Sequence, residues 1–369
     1  MVDTLTDMLR KPRSGPLMRL KRWYFGLIAD PDLQARAARN LFLRPFVRRD
    51  DRAIFDLMSG FVYSQTLLAA VEIDLLNQLD EEPRDVAALR GLPTDGMLRL
   101  CNSAAALGLI QRISDGKYAI ARLGVLVRSV PGLSDMIRHH SVLYRDLSDP
   151  VALLSGDAET EMSNFWPYVF GATEGSISRG DAQRYSQLMS DTQRLVSQET
   201  LRVIDLRRAK AVLDLGGGHG TFLGYLKDAH PNLRCGVFDL AHVVAGAPRS
   251  LTRHAGNFRE DALPEGYDVI CLIRILFDHQ DETLIPLLRK IHDALPASGR
   301  LIISEPMRGA RAPTRTGDSY YSFYCHAMGT GKARSPDEIV KLLKAAGFAH
   351  IKLHRERAPS VTRVLEAVK

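Results

Sequence analysis

The sequence predicts a chain in two parts, an all-α region containing a winged helix followed by an α/β domain on a mostly parallel sheet. Three observations predict it. Apolar residues recur at helical spacing from about Asp51 to Leu79, among them Ile54, Leu57, Met58, Phe61, Val62, Leu67, Leu68 and Val71. Two short helical runs within 84–107 precede a hairpin signal at Asp115-Gly116. After Lys210 come short runs of Val, Ile, Leu and Cys alternating with helical stretches, the pattern of strands buried on both faces.

Composition narrows the class. The 369 residues suffice for two or three domains, and 45% apolar with 25% charged residues is ordinary for a folded chain, not a disordered or fibrous one. No apolar run approaches 18 residues and the N-terminus lacks a secretory pattern, so a cytoplasmic protein is expected. The cysteines at 101, 235, 271 and 325 form no C-x-x-C pair, which argues against a zinc site or disulfide scaffold and for a reducing compartment; no metal is expected.

Residues 1–52 read as a basic arm. They hold twelve Lys/Arg against six Asp, whereas the remaining 317 residues carry 37 of each sign, so the whole net charge of +6 lies in the arm. Arg19, Lys21 and Arg22 run into Trp23-Tyr24-Phe25, and Arg44, Arg48, Arg49 and Arg52 are interleaved with Leu41, Phe42, Leu43, Phe46 and Val47. That pattern suits a helix lying peripherally on an anionic membrane surface, or an arm that wraps a partner subunit.

Residues 53–180 read as a helical winged-helix domain, and helices apolar on more than one face suit a subunit interface, so a homodimer is expected. Arg84–Arg90 reads as a short helix ended by Gly91, Pro93–Leu107 as a second helix stopped by Gly108, and Ile110–Ala121 as the hairpin. The second helix offers Arg99 alone where a duplex reader needs several cations, so nucleic acid is not an expected partner. Residues 181–210 follow as a linking helix, and 211–369 as the α/β domain. Its strands are expected at Ala211–Leu215, Leu233–Leu240, Tyr267–Ile275 and Arg300–Glu305. A last helix is expected at Lys341–Ala346, then a closing antiparallel pair at His350–Arg357 and Val361–Val368.

The chemistry is carried by Val212-Leu213-Asp214-Leu215-Gly216-Gly217-Gly218-His219-Gly220, a strand, a glycine turn and the start of a helix. Glycines let backbone pass close to a ligand without an intervening Cβ. The spacing is G-x-G-x-G and not the G-x-G-x-x-G that cradles a pyrophosphate, so a nucleoside ligand without phosphates fits better than a dinucleotide. Asp239, at the end of Val237-Phe238-Asp239-Leu240 and about 20 positions on, is placed to accept both ribose hydroxyls; a helix N-cap is the alternative role. Asn257 and Phe258 follow the third strand, where an amide can meet the adenine edge and a ring can stack on it.

These residues resemble the S-adenosylmethionine-dependent methyltransferases of the caffeate O-methyltransferase type, over about residues 53–369. GFVYSQTLLAAVEIDLL, YSQLMSDTQ, ALPEGYDVICLIRILFDHQDE and LIISEPMRG are similar to the bacterial hydroxycarotenoid O-methyltransferases within that family. The resemblance implies a Rossmann-like class I methyltransferase domain behind a dimerising winged helix. It implies S-adenosyl-L-methionine as cofactor and a hydroxyl of a long apolar molecule, a hydroxycarotenoid, as methyl acceptor. It further implies cofactor contacts at Gly216, Gly217, Gly218, Asp239, Leu240 and Phe258, and a pocket segment carrying Tyr185, Met189 and Gln193.

The chain departs from the family where phenol-methylating members carry a His-Asp-Trp segment. Phe277-Asp278-His279 stands there, so the usual proton acceptor is absent. Glu305 matches one family glutamate and Ala333 replaces the second, while Asn257 replaces a frequent aspartate. Three mechanisms remain open: His279 as base, Glu305 as a desolvated base, or positioning without a strong base, with His279 assisting. Positioning is the favoured expectation. Arg274 faces either the cofactor's carboxylate or an acidic neighbour such as Asp278. A phenolic or polyketide acceptor is the nearest alternative, and a cofactor-binding protein that has lost methyl transfer is another.

Overall fold

The computed structural model describes residues 15–164, 192–355 and 361–369. Three helices open the described chain: Pro16–Ile28, Pro31–Arg39 and Arg44–Glu72. Each begins with proline in its first turn, where a missing N–H costs nothing because that donor has no partner within the helix. Asp30 caps the second by accepting the Asp32 and Leu33 amides.

The expected boundary at 52/53 is corrected here, because the third helix runs through it without a break. This helix is also long and apolar enough to cross a membrane, contrary to the sequence expectation. Its C-terminal end joins a core, however: Ala70 and Val71 pack with Leu75, Met97, Leu100 and Ile110.

That core is completed by strands β1 (Arg84–Asp85), β2 (Ile110–Ser114) and β3 (Lys117–Ile120), antiparallel in the order β1-β3-β2, with the helix Thr94–Ala106 against them. The hairpin turns at Gly116, whose φ of +70° is a conformation that favours glycine. Arg84–Arg90 is not the short α-helix the sequence suggested. It pairs two residues with β3 and then makes one 3₁₀ turn at Val86–Ala88, capped by Asp85.

The α/β domain carries seven strands: β4 (Ala211–Leu215), β5 (Arg234–Asp239), β6 (Thr252–Ala255), β7 (Val269–Ile273), β8 (Arg300–Glu305), β9 (Ala349–Leu353) and β10 (Arg363–Val368). Their order is β6-β5-β4-β7-β8-β10-β9, parallel from β6 to β8 and antiparallel through β10 and β9. β4 and β7 are buried at every position, β7 as its unbroken apolar run requires and β4 with Asp214 buried among apolar neighbours. The chain leaves β4 toward β5 and later returns on the other side as β7. This makes a switch point where the carboxyl ends of neighbouring strands open a crevice.

The last helix spans Pro336–Ala345 and so starts earlier than expected, because Ser335 and Glu338 form a reciprocal capping box. His350 and His354 do not share an exposed strand face: His354 lies past β9 and its Nε2 meets Glu366 Oε2 at 2.9 Å. All four cysteines are buried and free.

Candidate active site

The crevice gathers five segments, one from the end of each of β4 to β8. Gly216, Gly217 and Gly218 follow β4, with φ of +71° at Gly216 and +57° at Gly218. A Cβ on Gly217 would lie 2.5 Å from Asp214 Oδ2, whereas a Cβ on Gly218 would meet nothing within 4 Å. The turn is therefore packed from beneath and open above.

Asp239, at the end of β5, bridges to that turn. Its Oδ2 accepts the Gly218 amide at 2.7 Å and its Oδ1 accepts the Leu240 amide at 2.8 Å. It is not a helix N-cap: the helix Ala241–Val244 has Leu240 in that position. Phe258, after β6, packs beside Gly216, and the Asn257 side-chain carbonyl is turned back to the Arg259 amide at 3.0 Å. Glycine turn, carboxylate and aromatic ring thus meet at one mouth, as the sequence expected of a nucleoside site.

Asp214 was outside the expected set. It is buried at the base of the turn, and neither carboxylate oxygen has a hydrogen-bond partner among the described residues. Burial, then the nearby Asp239 charge, raise its carboxyl well above the usual range. An unpartnered carboxyl below and an open backbone above fit a ligand laid on the glycine turn.

The β7 end places the remaining expected residues. Arg274, at φ +62°, donates from Nη1 to Thr192 Oγ1 at 2.9 Å and lies close enough to Asp278 to pull its carboxyl down against burial. It therefore joins β7 to the linking segment, where 192–200 is helical and Gln193 is half-buried beside Thr192. Tyr185 and Met189 lie outside the described residues.

The two expected catalytic residues are both buried. His279 is buried edge-on against Phe258, with ring centroids 5.5 Å apart, and its Nδ1 faces Arg259 Nη2 at 3.2 Å. Burial and the flanking Arg259 and Arg334 charges push the imidazole down to about 4. Its two-residue step from Phe277 carries it to the glycine-turn side, where it supports the Phe258 ring and is a poor proton acceptor.

Glu305 lies behind the same loop, fully buried, with Oε2 accepting the Phe277 amide at 3.2 Å. Burial pushes its carboxyl up to about 8, so it is largely neutral at pH 7. Arg334, also buried and not foreseen, donates to the Leu276 and His279 carbonyls and to Asp281. Glu305 and Arg334 together hold the 276–281 turn.

Phe277 is buried in one cluster with Cys325 and Ala333, and the Tyr321 ring packs against it at 6.4 Å. The two positions where the resemblance implies a histidine and a glutamate thus share one buried cluster here, and both are apolar. Beyond this wall the π-helix Arg315–Tyr321 leads into the helix Ser322–Ala327. These helices aim Tyr320, Tyr321 and Tyr324 at one another, with centroids 4.8 to 6.5 Å apart. From the N-terminal region the helix Leu133–Asp146 contributes two bonds: His139 Nε2 to Tyr324 Oη at 3.0 Å and His140 Nε2 to Tyr320 Oη at 2.8 Å. The pair Tyr320 and Tyr324, four apart, was the sequence signal for this group.

Comparison with known proteins agrees with this geometry. Residues 144–349 match the O-methyltransferase domain family. The demethylspheroidene O-methyltransferase of Rhodobacter capsulatus is 48% identical over 326 residues, covering 87% of this chain and 82% of that protein. That of Cereibacter sphaeroides is 43% identical over 373 residues, covering 98% of each. Among solved structures, human N-acetylserotonin methyltransferase in complex with S-adenosylmethionine superposes with a TM-score of 0.72 at 24% identity, over 87% of this chain and 97% of that one. The calicheamicin-biosynthesis methyltransferase CalO1 gives 0.72 at 23%, over 87% and 98%. A glycine turn bridged by Asp239, a parallel sheet with its switch point there, and this similarity along most of the chain lead to one conclusion: the chain belongs to the S-adenosylmethionine-dependent O-methyltransferases.

Proposed function

We propose that this enzyme methylates a hydroxyl of a long apolar acceptor, a hydroxycarotenoid, by positioning and without a strong protein base. The observation that carries this reading is the buried apolar cluster that holds both Phe277 and Ala333, in a chain 43–48% identical to two demethylspheroidene O-methyltransferases. Gly216, Gly217, Gly218, Asp239, Leu240 and Phe258 would hold S-adenosylmethionine, which supplies an electrophilic sulfonium methyl group when bound. Asp239 suits the ribose hydroxyls and Phe258 the adenine face.

The residues around Phe277 do the rest. Phe277, Cys325 and Ala333 keep water from the acceptor hydroxyl, while Glu305 and Arg334 hold the turn that carries Phe277. An aliphatic alcohol is so weak an acid that removing its proton first gains little; the protonated ether formed by methyl transfer then gives its proton to bulk water as the product leaves. Orientation alone supplies up to about 7–11 kcal/mol in favourable cases, whereas a general base typically adds about 10²- to 10⁴-fold. Aromatic side chains at the far wall suit a polyene. The test is transfer of a labelled methyl group by the purified protein to detergent-solubilised hydroxycarotenoids beside a phenol panel. Label in the carotenoid fraction supports the reading; label confined to phenols overturns it.

Two partner surfaces belong to the same proposal. Ile54, Phe55, Leu57, Met58, Phe61 and Val62 are exposed along one helix, an apolar surface suited to a second copy of the chain. Phe61→Glu should convert a dimer to monomer in light scattering; a wild-type monomer would refute it. Nearer the N-terminus, Trp23, Tyr24 and Phe25 are exposed, and a hollow of about 600 Å³ is lined by Leu41, Arg44, Pro45, Arg48, Arg49, Arg52 and Ala53, with Asp56 as the one acidic lining residue. Arginines surrounded by exposed aromatics suit anionic lipid headgroups. Flotation with vesicles containing phosphatidylglycerol should be lost on deleting residues 1–50; flotation unchanged by that deletion would sink the membrane assignment.

A further inference from the structure

A hydroxyl held for methyl transfer needs a polar partner to fix its direction, and Phe277 offers none. The three tyrosines beyond it differ in one respect. The Tyr320 and Tyr324 hydroxyls are taken by His140 and His139, whereas the Tyr321 hydroxyl has no hydrogen-bond partner among the described residues. Tyr321 is also the member whose ring lies against Phe277, in a T-shaped contact at 69° between planes.

We propose that the Tyr321 hydroxyl is the group that holds the acceptor's hydroxyl, as the polar contact standing in for the histidine that Phe277 replaces. Its geometry is preset. Tyr320 packs on it at 4.8 Å, and the bond from Tyr320 to His140 ties that neighbour to the helix Leu133–Asp146, so the N-terminal region fixes the Tyr321 ring from behind. The π-helix ending at Tyr321 carries an extra residue per turn relative to an α-helix. That register brings the adjacent Tyr320 and Tyr321 into one cluster with Tyr324.

The chemistry is a hydrogen bond and not proton abstraction. Burial raises the Tyr321 phenol, so it stays a neutral O–H. Its oxygen accepts a hydrogen bond from the alcohol, leaving the alcohol's lone pairs for the incoming methyl group. A buried, directional bond of this kind also selects hydroxylated acceptors over their hydrocarbon parents, because a hydrocarbon leaves the site's polar group unpaired.

The proposal rests on the alcohol-methylating reading, and the experiment separates the two. Wild-type protein is first assayed with a solubilised hydroxycarotenoid; failure there with label passing to phenols overturns the functional reading itself. Tyr321→Phe is then compared with wild type for kcat, for cofactor affinity by calorimetry, and for binding of the hydroxycarotenoid against the parent hydrocarbon. The expected result is a kcat about tenfold or more lower, unchanged cofactor affinity, and loss of the wild type's preference for the hydroxylated ligand. A variant keeping more than half of wild-type kcat, or keeping that preference, would overturn the assignment. Tyr321→Met removes the same hydroxyl with a flexible side chain and is judged by the same ratio if the phenylalanine variant does not fold.

Discussion

Phe277 and Ala333 share one buried cluster, 56 positions apart in the chain, with the Cys325 thiol between helices completing it. Because both sites lie in that one buried cluster, the change at one is matched by the change at the other: a histidine without its glutamate, or the reverse, would leave a buried polar group unpaired. This coupling sets the first expectation. Phe277→His alone should lower Tm and not raise turnover of a carotenoid alcohol, since an unpaired buried imidazole costs about 1–3 kcal/mol. Adding Ala333→Glu should recover part of that stability. Differential scanning fluorimetry of the three variants checks it; equal Tm values for single and double variants would refute the coupling.

Asp239 joins the glycine turn to the end of β5 through its two backbone contacts. Asp239→Ala removes both acceptors and the carboxylate that suits a ribose. Cofactor affinity in titration calorimetry should fall at least tenfold, with methyl transfer at saturating cofactor falling less. An unaltered Kd would remove Asp239 from the cofactor site.

Gly217 tests packing under the turn. An added Cβ would sit 2.5 Å from Asp214 Oδ2 and 2.7 Å from its carboxyl carbon, deep in the core. Gly217→Ala should cost roughly 1–3 kcal/mol by overpacking and displace the turn. Gly218→Ala meets no atom but must hold φ at +57°, so it should lose cofactor affinity more than stability. Urea denaturation alongside cofactor titration distinguishes the two variants.

Glu305 gives a pH signature. Its carboxyl is lifted from 4.5 to about 8 by burial, so the native state keeps a proton that the unfolded chain gives up. The resulting stability is present below about 4.5 and is lost as pH rises through about 8. Tm should therefore decline between about pH 4.5 and 8 and level off above, and Glu305→Gln should flatten that decline. His279 works on the other side: lowered from 6.5 to about 4, it makes stability fall as pH drops through that window. A Tm profile unchanged by Glu305→Gln would contradict the buried neutral acid.

Much of the site was readable because it is local. Val212 to Gly220 spells strand, turn and helix within nine residues, and Asp239 follows at the end of the next buried run, so backbone periodicity alone brings both to one sheet edge. β4 and β8 fall on the expected residues for the same reason. The short segments misread were those with weak periodicity. Arg84–Arg90 has too few residues to show a period, and its strand character comes from pairing with β3, whose partner residues lie 32 and 34 positions away. The S-x-x-E capping box at Ser335 was in plain view and would have moved the last helix to its true start.

The sequence by itself pointed to a nucleoside ligand through its glycine turn after a buried strand; its resemblance to a methyltransferase family supplied the class of reaction and showed that the usual base is missing. Tertiary structure alone decided where the neighbouring side chains went. A two-residue step along the chain sends His279 toward Phe258 instead of the Phe277 wall, because the 3₁₀ turn at Leu276–Asp278 rotates it and Arg334 fixes the carbonyls on either side. Burial then set the protonation of Glu305, His279 and Asp214. Burial depends on which distant segments cover a residue, as Phe258 and Arg259 cover His279, and that covering has no local signature.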